Sequence, residues 1–205
     1  MTRIILVRHG HVEGITPERF RGRADLMLTP EGRGQAAATG RRIAASWSPS
    51  AIYTSPLSRC QVTGEAIGKP LGLSPTALEG LNDIDYGEWQ GLTPAEVRGR
   101  WAELLDAWYR TPEWVAIPGG ETLQDLLGRA VSVLRDVILR HPHDAVVMVG
   151  HDSVNRVILL HALGLPLSGY WRIAQAPCAI NEIDFSRDSA AVLSVNQTFH
   201  LKATD

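Results

Sequence analysis

Hydrophobic residues in this chain come in two kinds of run. Ile4-Ile5-Leu6-Val7 and Ala145-Val146-Val147-Met148-Val149 are short, continuous and rich in β-branched side chains. That is the pattern of strands buried on both faces. Ala51-Ile52-Tyr53-Thr54 is a third run of this kind, and 74–78 is a further strand candidate. The stretches between them carry helical spacing and helix punctuation. Thr29-Pro30-Glu31 is a helix start, with Thr29 as N-cap and proline in the first turn, and the helix extends to about Ala45. A second helix covers about 57–71 and stops at Gly72. Residues 94–109 are amphipathic and helical, 123–140 form a long helix, and 153–163 form another closed by Gly164. Residues 179–185 and 190–195 alternate enough to be a closing antiparallel pair.

Strands alternating with helices predict an α/β protein, a three-layer α/β/α sandwich around a mostly parallel sheet. With 205 residues the chain is read as one domain, 1–205, with a sizeable core. Leu81-Asn82-Asp83-Ile84-Asp85-Tyr86-Gly87-Glu88-Trp89-Gln90-Gly91 is a glycine-punctuated loop. It opens a segment, about 81–120, read as a small helical insertion capping the carboxyl edge of the sheet. Its aromatic residues Trp101 and Trp108, with Trp114 just beyond, are expected to pack between helices. The connection 11–27 is long and rich in Gly and Arg, which marks a functional loop.

Composition removes several function classes. The net charge of −2 gives no basic field for nucleic acid or an anionic membrane. No apolar run approaches the length of a membrane span. The N-terminus enters a strand with no leader pattern, so a cytoplasmic protein is expected. Cys60 and Cys178 are far apart and form no metal spacing. Cys60 is expected to be a small core residue. No oligomeric state is read from the sequence.

What changes the picture is how the apolar runs end. The first leads into Arg8-His9-Gly10, the third into Ser55-Pro56-Leu57-Ser58-Arg59, and the late one into Gly150-His151. Parallel strands would deliver Arg8, His9, Arg59 and His151 to one carboxyl edge, where open α/β sheets bind ligands. With these four elements in this order, nearly the whole chain resembles the histidine phosphatase superfamily, also called phosphoglycerate mutase-like. The resemblance implies that His9 is a nucleophile that passes through a phosphohistidine. Arg8 and Arg59 would hold the phosphoryl group by forked contacts that lysine does not reproduce. His151 would donate to a phosphate oxygen in the transition state.

Relatives place a general acid in Leu-x-Glu-x-x-x-Gly, and here the matching position holds Asp83, shorter by one methylene. Asp83 is therefore the expected acid, with Asp85 and Glu88 as nearby substitutes. Relatives also carry Thr and Asn where this chain has Val12 and Ile15. Arg19, Arg21 and Arg23 lie in the same loop and could supply the missing contact, with Arg21-Gly22 matching a pair that approaches substrate in relatives. Pro118-Gly119-Gly120-Glu121 resembles a segment of the phosphatase branches, which places Glu121 either at the pocket or in the first turn of a helix. Asp152 or Ser153 would cap the helix after His151, and Asp152 could favour a charged His151.

The activity implied is a metal-independent phosphomonoesterase acting on a small-molecule phosphomonoester, with no cofactor and no bound metal. One alternative is a phosphoglycerate mutase. Against it, residues 101–118, where mutases carry a basic insertion, hold Arg110 as their single base. The other alternative is an impaired phospho-ligand-binding regulatory protein, suggested by the altered Asn and Glu positions.

Overall fold

The computed structural model describes residues 1–186 and 189–201. Six strands form one sheet: β1 (Thr2–Arg8), β2 (Pro49–Thr54), β3 (Thr76–Ala77), β4 (Ala145–Gly150), β5 (Ile180–Phe185) and β6 (Ala190–Gln197). Their spatial order is β3-β2-β4-β1-β5-β6. β1 and β4, the two continuous apolar runs, are parallel neighbours at the centre, and β2 runs parallel to β4. β5 pairs antiparallel with β1, and β6 with β5. The sheet is thus the mostly parallel one expected, closed by an antiparallel pair.

Strand pleating sends alternate side chains to opposite layers. Ile4, Leu6, Val146 and Met148 pack against α4 (Leu123–Arg140) and α5 (Asp152–Ala162). Ile5, Val7, Val147 and Val149 pack instead with Ile43 of α1 (Pro30–Ser46) and Ile67 of α2 (Ser58–Gly68). The Thr29 hydroxyl caps α1 by accepting from the Gly32 amide. Thr122 caps α4 in a reciprocal capping box with Asp125.

The segment from Leu81 onward contains α3 (Pro94–Arg110), which bends at Trp101, where the backbone leaves helical geometry. Its buried residues, Leu81, Ile84, Trp89, Val97, Leu105 and Trp108, join the same apolar cluster as Ile4 and Leu6. Trp108 sits at the centre of an aromatic group, edge to face with Tyr86, Trp89 and Trp171 and tilted against Tyr170. Trp114 departs from the expected packing. It lies in a short turn after α3 and is 83% exposed, because the chain turns back toward α4 before its ring reaches a neighbour. No helix among the described residues is long and apolar enough to cross a membrane.

Candidate active site

Parallel strands place their carboxyl ends side by side, and Arg8 lies in register with Gly150. The chain then leaves both strands into polar residues. The His9 amide donates to the Gly150 carbonyl at 3.0 Å, and the His9 and His151 rings meet edge to face with centroids 5.2 Å apart. Gly10 follows because no other residue fits: a Cβ there would lie 2.5 Å from the Gly32 carbonyl oxygen in the first turn of α1. The Gly10 carbonyl lies against its neighbour's ring. His9 Nδ1 lies 2.7 Å from it and donates to it. The tautomer is thereby set. Nε2 keeps its lone pair, and it is buried without a hydrogen-bond partner among the described residues.

Arg59, early in α2, is fully buried and serves as the hub. Its amino groups donate to the carbonyls of Ala24 (2.6 Å) and Gly22 (2.7 Å), which tie down the long first loop. Its Nε lies 3.2 Å from His151 Nδ1, and Nη2 lies 3.1 Å from Asp83 Oδ2. Asp83 Oδ2 is also 3.5 Å from His151 Nδ1. The shorter acid is therefore at the centre of the cluster, 2% exposed, because its loop sits inward. Ser153 Oγ donates to Asp83 Oδ1 at 2.5 Å. The turn of this loop is made by Asp85, whose carboxylate accepts from the Gly87 amide.

Burial and the guanidiniums of Arg59 and Arg8 hold the His9 pKa well below its ordinary value, and the same influences, with His9 itself, lower that of His151. Both shifts favour the neutral ring. Burial raises the Asp83 carboxyl, with Arg59 opposing. Asp152 moves the other way. It is held far below the carboxylate range by Arg8, Arg156 and Arg21, against the burial that alone would raise it. The two carboxylates of the site, buried Asp83 and half-buried Asp152, are thus shifted in opposite directions.

The remaining candidates divide. Arg21 turns inward, 3.9 Å from Asp152. Arg19 and Arg23 stay half in solvent, paired with Glu96 and with Asp85 and Glu121. Gly22 contributes its carbonyl to Arg59, at a backbone φ of +48°. Glu121 is a correction to the first-turn reading: Thr122 is the N-cap, so Glu121 precedes the helix. Its carboxylate is taken up by Arg129 at 2.8 and 2.9 Å and by the Asp85 amide. Neither Asp152 nor Ser153 caps α5. The helix begins one residue earlier, with His151 at the N-cap and no side-chain cap, so these residues face inward from the first turn. Asp83, rather than Asp152, is the carboxylate beside His151. Cys60 is buried as expected, but its sulfur also rests against the His151 ring, 3.5 Å from Nε2 and 4.0 Å from Nδ1. Val12 is buried with Leu28 and Ala36, and Ile15 packs on that cluster, so both positions serve the loop's core.

Sequence reasoning missed the residues that brace the site. Arg129 donates to the carbonyls of Gly80, Asn82 and Asp83, fixing the loop that carries the acid. Its only signal was a cation beside the apolar stripe Leu126, Ala130, Leu134. Beneath Arg8, whose Nη1 donates to the Gln175 carbonyl, the Gln175 and Asn181 amides bond each other. Nothing in the spacing of those two residues announced it.

Comparisons with known proteins find relatives along nearly the whole chain. The model of the histidine phosphatase superfamily (branch 1) matches residues 4–198. The chain is 29% identical over 201 residues to phosphoserine phosphatase 1 of Hydrogenobacter thermophilus, covering 98% of this chain and 95% of that protein. It is 35% identical over 170 residues to a 2,3-bisphosphoglycerate-dependent phosphoglycerate mutase of Brucella melitensis, covering 79% and 82%. Some other curated relatives are longer, and the chain spans 37% or 55% of their length. Among solved structures, Bacillus stearothermophilus YhfR superposes with a TM-score of 0.93 at 26% identity, over 98% of this chain and all of that one. The chain belongs to the histidine phosphatase superfamily.

Proposed function

We propose that this chain, a single domain in the cytoplasm, hydrolyses a small phosphomonoester through a phosphohistidine on His9 and without a metal. Phosphatase activity itself accords with the family and with its phosphatase-named relatives. The observation that carries the mechanism is His9: its Nδ1 proton is committed to the Gly10 carbonyl, and its Nε2 lone pair is buried and unpaired beside Arg59 and His151.

In the first step Nε2 attacks phosphorus in line, the N–P bond forms and the ester P–O bond breaks. Asp83, holding the proton that its raised pKa favours, delivers it to the departing alkoxide. Arg8, Arg59 and His151 surround the equatorial oxygens, where charge accumulates. A protonated Asp83 also loosens its ion pair with Arg59 and frees Nη2 for the phosphoryl group. In the second step Asp83 takes a proton from water, the water oxygen attacks phosphorus, and the N–P bond breaks to release inorganic phosphate.

Incubation with a radiolabelled phosphomonoester, followed by an alkaline quench, should trap acid-labile label on the protein. His9→Ala should carry none. Turnover should survive EDTA; abolition by EDTA and restoration by a divalent cation would end the metal-free mechanism. Label that persists without release, and passes to a phosphoglycerate, would favour a mutase. No label across a broad panel would favour a binding protein.

A further inference from the structure

The two oxygens of Asp83 are treated differently by their surroundings. Oδ1 accepts from the Ile84 amide at 2.9 Å and from the Ser153 hydroxyl at 2.5 Å. Oδ2 faces the cradle, 3.1 Å from Arg59 Nη2 and 3.5 Å from His151 Nδ1. A carboxylate oxygen offers roughly two lone-pair positions. Two donors therefore fill Oδ1, and a proton on this group belongs on Oδ2.

The Ser153 hydroxyl is committed to this arrangement. Ser153 is buried in the first turn of α5 but caps nothing there. Asp83 is the one acceptor to which it donates among the described residues. The Ile84 amide also leans toward its oxygen, at 3.4 Å, so hydroxyl, amide and carboxyl close into one unit. The acid needs such a partner because the last torsion of an aspartate is broad and roughly two-fold. Nothing within the residue decides which oxygen meets the cradle. Arg129 donates to the Asp83 carbonyl at 2.8 Å, which fixes the backbone and leaves the carboxyl free to turn. Building on the reading above that Asp83 is the proton donor, we propose that Ser153 is its positioning residue. With the Ile84 amide it occupies Oδ1, confines the transferable proton to Oδ2 and holds that oxygen toward the cradle. Ser153 follows His151 and Asp152 in the chain, so the start of α5 aims the acid and carries the second histidine together.

The test uses glycerol 3-phosphate, whose alkoxide needs a proton, and p-nitrophenyl phosphate, whose leaving group does not. Ser153→Ala should cut kcat for glycerol 3-phosphate by roughly tenfold while KM stays within about twofold, because aim is lost and binding is not. The same variant should slow p-nitrophenyl phosphate by less than about threefold, which also reports a folded cradle. Ser153→Cys keeps the shape but offers only a weak donor, so it should match the alanine variant. Wild-type rates in Ser153→Cys would make the role one of packing and overturn the inference. In an Asp83→Asn background, Ser153→Ala should add less than about twofold on glycerol 3-phosphate, since no acid remains to be aimed. Losses that multiply there, or equal losses on both substrates in Ser153→Ala alone, would also overturn it. Two results would remove the acid reading and this inference with it: equal losses on both substrates in Asp83→Asn, or a wild type that hydrolyses p-nitrophenyl phosphate but not glycerol 3-phosphate. Label trapped on His9 would leave the phosphohistidine route standing in either case.

Discussion

β1 carries an arginine at each end, and the two live in opposite circumstances. At the amino end Arg3 is fully answered: Nε and Nη2 each reach an Asp184 oxygen at 2.8 Å, and Nη1 lies 3.1 Å from Glu182. At the carboxyl end Arg8 is more deeply buried, yet its one hydrogen-bond acceptor is a neutral carbonyl and its Nε has none among the described residues. The histidines repeat the contrast. His141, at the amino edge, engages the Tyr53 hydroxyl through Nε2 and Asp144 through Nδ1. His9, at the carboxyl edge, leaves Nε2 unpaired. The same residue types on the same sheet thus build a closed network at one edge and an open one at the other. Unpaired buried charge and donors cost stability, so their concentration at one edge marks where the fold keeps binding capacity for something else.

The largest effect expected from this contrast is a double dissociation. His9→Ala should lower turnover by on the order of 10⁴-fold or more, because the covalent route is gone, with a thermal midpoint equal to or above the wild type. His141→Ala should do the reverse. It should keep kcat/KM and lose about 1–2 kcal/mol of stability as its partners are left unpaired. Thermal unfolding and steady-state kinetics on the same two proteins decide it. A destabilised His9→Ala would mean that the carboxyl edge is as closed as the amino edge.

The next effect sharpens the division between Asp83 and Asp152, the two carboxylates of the site. Asp83→Asn should slow hydrolysis of an alkyl phosphate by roughly 10²–10³-fold. It should slow p-nitrophenyl phosphate far less, because that leaving group needs no proton. The ratio of the two losses is the measurement. Equal losses would make Asp83 a structural partner of Arg59 and leave the acid to be found elsewhere.

How much of this was legible depends on whether the signal was local. The strands, their apolar faces and the Thr29 cap are written in neighbouring residues, and they form where the pattern puts them. So do Arg8, His9, Arg59 and His151, since each follows a strand or opens a helix and the parallel sheet gathers them. Contacts between side chains on different elements left no such trace. Ser153 was legible as a helix start but not as the donor to Asp83, 70 residues away. Arg129 reads in sequence as a helix-surface cation, and only packing of α4 against the 79–83 loop turns it into the brace of the acid. Trp114 read as core because aromatic residues usually are, and only the direction of the chain after α3 exposes it.

A smaller effect follows from keeping two histidines neutral in the interior. Their folded pKa values lie well below the unfolded value near 6.5. Below that pH the unfolded chain takes up protons that the folded chain refuses. Stability is therefore whole above 6.5 and falls as pH drops, by up to about 1.4 kcal/mol per pH unit for each ring. Asp83 acts in the opposite sense, because a raised carboxyl favours the fold at low pH and loses that advantage as pH rises. Urea unfolding between pH 7 and pH 5 should show the net loss, and His9→Ala or His151→Gln should each reduce the slope by about half. An unchanged slope in both variants would show that these rings do not carry it.

The smallest effect lies at the quiet end of β1. Arg3→Lys keeps the charge but loses the fork that grips Asp184. The Arg3 side chain is 37% exposed, so water screens the pair and the ion-pair contribution is discounted accordingly. The expected cost is about 0.5–1 kcal/mol, or roughly 1–4 °C in the thermal midpoint, with kcat/KM unchanged. Arg8→Lys, made alongside, should leave the midpoint nearly where it was and slow catalysis by about 10²-fold. A tenfold loss of activity in Arg3→Lys would couple the two ends of the strand. The amino edge would then be part of the catalytic apparatus rather than the closed network opposed to it.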